Sequence, residues 1–591
     1  MSAFESEINQ AIEHYSARRF TETEALCRRI VEREPGNARA LHICAAAVGQ
    51  MRRLEESIDL LKRATAADPQ FADAWDDLAR LYDAVKRPAD AADALQHTSA
   101  LRPDDVGLLI RWSSALLNSG RPAGAETVAR QALNIQPDLP EAHFNLACAL
   151  EHQSQLAEAI DSYRKTISLR PNFALAHLNL GSALNQQGQL EAAEAALREA
   201  VRLDPRLALA LSNWAMVLAE LDRLDEAESP ARRASEVAPH NATFATNYAT
   251  VLGRLHRYDE ALAIAQRAIQ LDPAHDGAHS LAGMLLLTLG RWREAWPHWE
   301  WRTHRWDARP TGRASWDGSP LNGRSIVVRA EQGFGDTIQC LRFVPLLKSQ
   351  RDAGRVMIEC QRPLKELLTT VPGVDEVHVK QESTAPAEVE VWVMSLPRWF
   401  DATPESIAGS VPFLTADAVR VERLRPKVAA TAGLKVGFVW AGSPTYRADR
   451  ARSCPIDELK PLTKIPGVTC FSLQRGAAQQ RDAAATKELG LIDLAAEFRD
   501  ITDLAAGISL LDLLITVDTS AAHLAGALAR PVWTMLSDLA DWRYRARPDR
   551  TAWYPTMRLF RQSTPGDWNA LIRTVAAALT DRVNRVNSPS T

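Results

Sequence analysis

Eight prolines stand 34 residues apart, at positions 35, 69, 103, 137, 171, 205, 239 and 273, and nothing else in the 591-residue chain restricts its fold so tightly. Each closes a similar phrase: VEREPGN, TAADPQF, SALRPDD, LNIQPDL, ISLRPNF, VRLDPRL, SEVAPHN and IQLDPAH. Proline has no N–H and clashes with a preceding helical turn, so each one ends a helix and sets the turn into the next unit.

A second periodicity is independent of the prolines. Counting each proline as position 32, position 8 reads Ala11, Ala45, Ala79, Ser113, Ala147, Gly181, Ala215, Ala249 and Gly283. Position 20 reads Thr23, Ser57, Ala91, Ala125, Ala159, Ala193, Ala227, Ala261 and Ala295. All are small, as two helices require at the point where they cross closely. A 34-residue helix–turn–helix period with a closing proline is the tetratricopeptide signature. Residues 1–302 are therefore expected to form a tetratricopeptide α-solenoid of eight full units and a degenerate ninth. That ninth unit, GAHSLAGMLLLTLGRWREAWPHWEWR, keeps both small positions but lacks the proline. It is expected to merge into the next domain and cover the open end of the stack.

Position 6 of the first helix reads Asn145, Asn179, Asn213 and Asn247 in consecutive units, with Asn9 in the first. First helices line the concave surface of such arrays, so these amides are candidates for an acceptor-peptide groove. A carboxamide both donates and accepts, matching a peptide backbone. The row resembles the asparagine ladder of the O-GlcNAc transferase array. Generic asparagine usage at this position is the alternative, and the residues alone do not choose. A groove for a polypeptide partner follows from the repeat in either case.

The net charge of −4 gives no footprint for nucleic acid or an anionic membrane. No apolar run approaches the ~18 residues of a membrane span. The first twenty residues read as an amphipathic helix and not as a signal peptide. Seven scattered cysteines without a CxxC pair suit a reducing compartment, so a cytoplasmic protein is expected.

After Trp301 the period changes. A polar connector (303–324) leads to short β-branched runs: SIVVRAE, RVMIEC, VDEVHV, VEVWVM, LKVGFVWAG, VTCFSL, DLLITVDT and RPVWTML. Helical stretches such as TIQCLRFVPLLKSQ and SAAHLAGALA separate them, which argues for parallel α/β sheets. The spacing predicts one lobe at 325–417, a helical hinge at 418–433, a second lobe at 434–585 and a tail at 586–591.

Two loops carry candidate chemistry. In EQGFGDTIQC, Gly333 and Gly335 lie between strand and helix, where glycine permits a tight turn and close ligand approach. The segment is neither a Walker loop nor a GxGxxG fingerprint. In LLITVDTSAAHLAG, a buried strand runs into Asp518, Thr519 and Ser520, and a helix begins with Ala521, Ala522 and His523. Hydroxyls and free N–H groups at a helix N-terminus suit a diphosphate. An Asp/Thr/Ser helix cap without a ligand is the other reading.

Together these loops resemble the heptosyltransferase-like glycosyltransferases of the GT-B fold, and more closely the bacterial proteins that fuse tetratricopeptide arrays to such a domain. The blocks that carry the resemblance are WEWR, WDGSPLNGRSIVVRAEQGFGDTIQCLRF, VWAGSP with RADRARSCP, FSLQRG, VDTSAAHLAGALARPVW and DWRY…WYPTMRLFRQ…GDW. The resemblance implies an acceptor-side first lobe, a donor-binding second lobe and no metal cofactor. It implies that Asp336 is the catalytic base that deprotonates an acceptor hydroxyl. Arg452, with Arg450 and Arg447 nearby, would meet the donor diphosphate. Asp518, Thr519, Ser520, Ala521 and His523 would hold the same group. Gln474, Trp440 and Gly442 would lie on the nucleotide side, although RGAAQQRD lacks the acidic residue that often follows this strand. SDLADWRY also departs from the family's usual Pro and Asp before Trp-Arg. Its Asp541, Trp542 and Arg543 either contact the donor or pack the lobe. Arg545, Arg547 and Arg550 extend a phosphate surface or are solvated charge.

The implied function is an inverting transfer of sugar from a nucleotide donor to a hydroxyl acceptor. In flagellin-modifying relatives the acceptor is flagellin and the sugar a nonulosonic acid. A lipid or polysaccharide acceptor, or a scaffold with a degenerate transferase domain, are the alternatives.

Overall fold

The computed structural model describes residues 3–305, 312–382, 385–407, 409–444, 449–537, 541–545 and 549–587. The chain divides into two compact units, Met1–Pro239 and His240–Thr591.

The first unit consists of paired helices running from Ala3–Ser16 to Leu224–Val237. The positions singled out as small are buried, including Thr23, Ala45, Ala79, Ser113 and Ala147. A Cβ built on Gly181 would lie 2.5 Å from Leu197 Cγ, so helix contact leaves no room for alanine there. Where a hydroxyl replaces alanine it is paired: Ser57 Oγ donates across the crossing to the Ala45 carbonyl at 2.7 Å, while Thr23 and Ser113 donate to the Arg19 and Ile110 carbonyls of their own chain segment. The turn within each pair also repeats. Arg18, Arg52, Lys86, Gly120, Ser154, Gly188 and Asp222 are all left-handed, with φ between 58° and 76°. Only two of these seven are glycine.

The second unit begins two helix pairs before the period ends. These pairs are Ala242–Arg254 with Tyr258–Leu271, and Asp276–Thr288 with Trp292–Trp299. The boundary expected at 302 thus falls inside this unit, and tryptophan is the reason. Trp292 and Trp296, each 3% exposed, pack with Trp299 around Trp542 and Trp553. Trp296 Nε1 also donates to the Ala402 carbonyl at 2.9 Å. Each indole buried this way contributes on the order of 2–3 kcal/mol. Gly283 lets the last pair close, because a Cβ there would lie 2.9 Å from the Trp299 backbone nitrogen.

Two α/β lobes follow. The first has strands β1 (Ala314–Ser315), β2 (Ser325–Arg329), β3 (Arg355–Cys360), β4 (Glu376–Val379) and β5 (Val389–Trp392) in the order β1-β5-β2-β3-β4. The second has β6 (Leu434–Val439), β7 (Val468–Ser472), β8 (Ile492–Asp493), β9 (Leu513–Val517), β10 (Val532–Leu536) and β11 (Met557–Arg561) in the order β11-β10-β9-β6-β7-β8. Every pairing is parallel. The connector expected at 303–324 contributes β1, which pairs with β5 through Ala314 and Ser315. The predicted hinge is the helix Ala418–Ala429. Arg420 and Arg423 on it meet the buried Asp503 carboxylate. Among the described residues no helix is long and apolar enough to cross a membrane.

In open parallel sheets ligands bind outside the carboxyl ends of the strands, where the strand order reverses. That point lies between β2 and β5 in the first lobe and between β6 and β9 in the second. The loops there begin at Ala330 and Val393, and at Trp440 and Asp518.

Candidate functional site

The first lobe's reversal point is filled by the end of the ninth repeat. Arg302, 5% exposed, donates from Nη2 to Glu331 Oε1 at 2.7 Å and to Ser395 Oγ at 3.0 Å. Ser395 Oγ in turn donates to Glu300 Oε2 at 2.8 Å. The WEWR arginine therefore pins the strand end that leads into the glycine turn. Sequence reasoning passed over Glu331. The available signal was an acidic residue ending a buried strand in a chain with an arginine just before the connector.

In that turn the left-handed residue is Gln332, at φ 56°, while Gly333 is extended at φ −83°. The tight turn expected of the glycines is thus made by Gln332. Gly335 serves a different approach from the one expected: a Cβ on it would lie 2.7 Å from His523 Cδ2. The helix Phe334–Cys340 packs directly on the helix Ser520–Ala527, and the glycine admits the opposite lobe.

Asp336 lies at this junction with its side chain 21% exposed. Its Oδ2 accepts the Gly333 N–H at 2.9 Å, and its Oδ1 accepts from Arg543 Nη2 at 2.6 Å. The side chain thus caps its own helix with one oxygen and meets the second lobe with the other. Arg543 also reaches Asp541 Oδ1 at 2.8 Å and donates to Gln339 Oε1. Burial works against its charge, but Asp541 and Asp336 outweigh that and hold it protonated.

In the second lobe Thr519 precedes the helix Ser520–Ala527, yet no side chain caps that helix. The Thr519 hydroxyl lies instead against Thr516 Oγ1 at 3.2 Å. The cap read as an alternative to anion binding is therefore not formed, and the first-turn N–H groups at Ser520 and Ala521 point out of the helix end. Asp518 accepts from Tyr544 Oη at 3.0 Å. Burial, then the Asp541 carboxylate, pushes its acid up to about 6 against the pull of Tyr544, Arg452 and Arg543.

The His523 imidazole does not face the helix end. It is 6% exposed, with Nε2 3.3 Å from Tyr544 Oη and Nδ1 3.2 Å from Tyr554 Oη. Because Tyr544 donates to Asp518, His523 Nε2 carries the proton and Nδ1 accepts from Tyr554. Burial, with Arg543 and Arg342 nearby, holds its pKa down at about 3, so it stays neutral. Burial in the close helix packing turns this ring away from the helix end; the diphosphate contact expected at His523 is by its backbone N–H.

The nucleotide-side residues also need correction. Gln474, 3% exposed, accepts from the backbone N–H groups of Trp440 and Ala441 at 3.0 and 2.9 Å. It donates to the carbonyls of Ala441 and Arg475 at 3.1 and 3.0 Å. All four of its hydrogen-bonding positions are used to tie the end of β6 to the end of β7. Trp440 is fully buried, its Nε1 donating to Asp482 Oδ2 at 2.8 Å. Neither side chain is free for a base or ribose. Gly442 has a local reason: a Cβ there would meet Arg452 Nη2 at 2.5 Å. Arg452 itself, 22% exposed, donates to Asp449 Oδ1 at 3.0 Å and is close enough to act on Asp518.

Arg447, Arg547 and the Arg450 side chain lie outside the described residues. Arg545 does not join a phosphate surface, because it bonds Tyr258 Oη and His256 Nδ1 on the eighth repeat. Arg550 is 72% exposed beside Asp549.

In the first unit the asparagine amides face the preceding repeat. Asn145 Nδ2 donates to Ser113 Oγ at 2.6 Å and to the Ile110 carbonyl at 3.1 Å. Asn213 Nδ2 donates to Ser182 Oγ at 3.0 Å, and Asn179 Nδ2 reaches Cys148 Sγ at 3.6 Å. Asn145 uses both of its N–H donors as staples between repeats, and Asn179 and Asn213 each use one. Asn247 is half-buried and Asn9 exposed.

The chain carries tetratricopeptide repeats: residues 140–173 match one form of that family, and 162–208, 178–242, 212–276 and 246–298 match another. Protein FlbA of Caulobacter vibrioides is 29% identical over 329 residues, covering 50% of this chain and 54% of that protein. The chain thus spans about half the length of this curated relative. YrrB, a TPR protein with an unusual peptide-binding site, is 20% identical with a TM-score of 0.28, covering 31% of this chain and 95% of that one. The Cut9–Hcn1 hetero-tetramer is 15% identical with a TM-score of 0.35, covering 48% and 57% respectively.

Proposed function

We propose that the protein is an inverting glycosyltransferase that moves a sugar from a nucleotide donor to a hydroxyl on a polypeptide, flagellin or a protein like it, held by the repeat array. One observation carries this reading: the Asp336 carboxylate and the uncapped N-terminus of helix Ser520–Ala527 converge from opposite lobes at the carboxyl ends of parallel strands. The acceptor oxygen attacks the anomeric carbon, its proton passes to Asp336, and the sugar–phosphate bond breaks. The charge left on the nucleotide phosphates is met by the helix N-terminus and Arg452. No metal is needed for these steps.

The test is nucleotide release from a panel of UDP-, ADP-, GDP- and CMP-linked sugars, with and without Asp336→Asn. Thermal shifts with the free nucleotides report donor binding separately. Turnover lost with nucleotide binding kept supports the base role; no turnover and no shift with any nucleotide refutes the reading. A second reading, a repeat scaffold with an inactive transferase domain, is favoured by one observation. Gln474 and Trp440 are wholly committed to the fold. A thermal shift without turnover supports it.

The array's role is tested apart. Since the asparagine N–H groups bind the preceding repeat, substituting Asn145, Asn179 and Asn213 is expected to lower array stability as well as acceptor capture. Capture unchanged by those substitutions removes the ladder as a peptide contact.

A further inference from the structure

Arg543 occupies an unusual place for a cation. Its side chain is 7% exposed, and its guanidinium ties two carboxylates on different lobes, Asp336 at 2.6 Å and Asp541 at 2.8 Å. A third tie runs to Gln339 on the same helix as Asp336, and the guanidinium lies 4.8 Å over the Trp542 ring. Trp542 belongs to the indole cluster that includes Trp292 and Trp299 of the ninth repeat. The position of Asp336 is thus fixed by one bond from its own turn and one from the second lobe.

We propose that Arg543 is a positioning residue for the reaction, aiming the Asp336 carboxylate at the acceptor hydroxyl only when the two lobes are seated together. The inference rests on the transferase reading above. Arg543 does not touch the reacting atoms. The two Asp336 oxygens each retain a further lone pair, which leaves one to take the acceptor proton while Arg543 and the Gly333 N–H hold the others. A planar, branched donor set is required, because three acceptors lie in different directions around one group. Lysine keeps the charge and cannot reproduce that geometry.

Steady-state kinetics of Arg543→Lys, Asp336→Asn and the double variant test this, read by nucleotide release from whichever linked sugar the wild type turns over. Displacement of a catalytic group by about 1 Å costs on the order of 10²-fold, and Arg543→Lys is expected to lower kcat by that much with donor KM within about twofold. In the Asp336→Asn background the lysine substitution is expected to cost nothing more, because two residues acting through one step are not additive. If Arg543→Lys melts below the assay temperature, Gln339→Leu removes one tie and no charge, and is read in the same way. Losses that multiply in the double variant, or that fall on donor KM, overturn the inference and leave the transferase reading standing. A wild type silent toward every linked sugar removes that reading and this inference with it.

Discussion

Arg543 Nη2 lies 2.6 Å from Asp336 Oδ1, across 207 residues of sequence and between two separate parallel sheets. The same interface brings Gly335 against His523 and the ninth-repeat tryptophans against Trp542. Turn, lobe contact and repeat end are therefore one packed structure around the Asp336 carboxylate.

Gly335→Ala places a methyl 2.7 Å from His523 Cδ2. Overpacking of this kind costs about 1–3 kcal/mol, so the melting temperature is expected to fall and any turnover with it. Ala at Gly333, exposed and already extended, would bring its Cβ to 3.1 Å from Asp336 Oδ2 and is expected to cost less than at Gly335.

Arg302→Ala leaves Glu331, 4% exposed, without its guanidinium partner. Removing one member of a buried ion pair costs about 3–5 kcal/mol. Chemical denaturation measures the loss, and Arg302→Met combined with Glu331→Gln is expected to recover part of it. Equal stability of Arg302→Ala and wild type contradicts the pinning role.

His523 titrates at about 3 in the folded chain against 6.5 for the free group. The unfolded chain therefore binds the extra proton between these values, and stability from the neutral ring is complete above about 6.5 and declines as pH falls. Asp518, raised from 3.8 to about 6, works the other way and loses stability as pH rises through 6. The difference in melting temperature between wild type and His523→Gln is expected to change with pH from 6.5 downward, to the disadvantage of the wild type.

Asp518 also predicts a pH dependence for donor binding. Above about 6 it adds a negative charge beside the helix N-terminus. Nucleoside diphosphate affinity measured by calorimetry is expected to weaken between about pH 5 and pH 7, and Asp518→Asn to flatten that slope. A slope unchanged in the variant excludes Asp518 as its source.

Arg52 sits at φ 62° in the turn of the second repeat and is exposed. A left-handed L-residue costs about 1–2 kcal/mol, partly offset by glycine's greater chain entropy in the unfolded state. Arg52→Gly is expected to raise array stability by about 0.5 kcal/mol, seen as a higher urea midpoint.

Much of the fold was legible because its signals are local. The proline spacing and the small residues at positions 8 and 20 identify each helix pair from within the pair, and burial of Ala45 and Ala79 follows. Strands β2 to β7, β9 and β10 announce themselves as β-branched runs; β11, Met557–Arg561, has no β-branched residue and was not read, and β1 and β8 are only two residues each. Those short edges carry no pattern long enough to read. The left-handed turns went unread because their occupants, Arg, Lys, Ser and Asp, have no shared chemistry.

The sequence alone determined the period, the repeat and the alternation of strand with helix, because each is written in the order of residues along the chain: a proline every 34 positions, small residues within a helix pair, β-branched runs within a strand. Tertiary structure decided which polar groups remain for a ligand. Gln474, Trp440, His523 and Asn145 look available in sequence, and each finds a partner 31 to 42 residues away, His523 a further one, Tyr544, at 21. A buried hydrogen-bonding group must be paired, and the partner is supplied by whichever chain segment packs there. Only folding reveals that segment, as it does for Asp336 and Arg543.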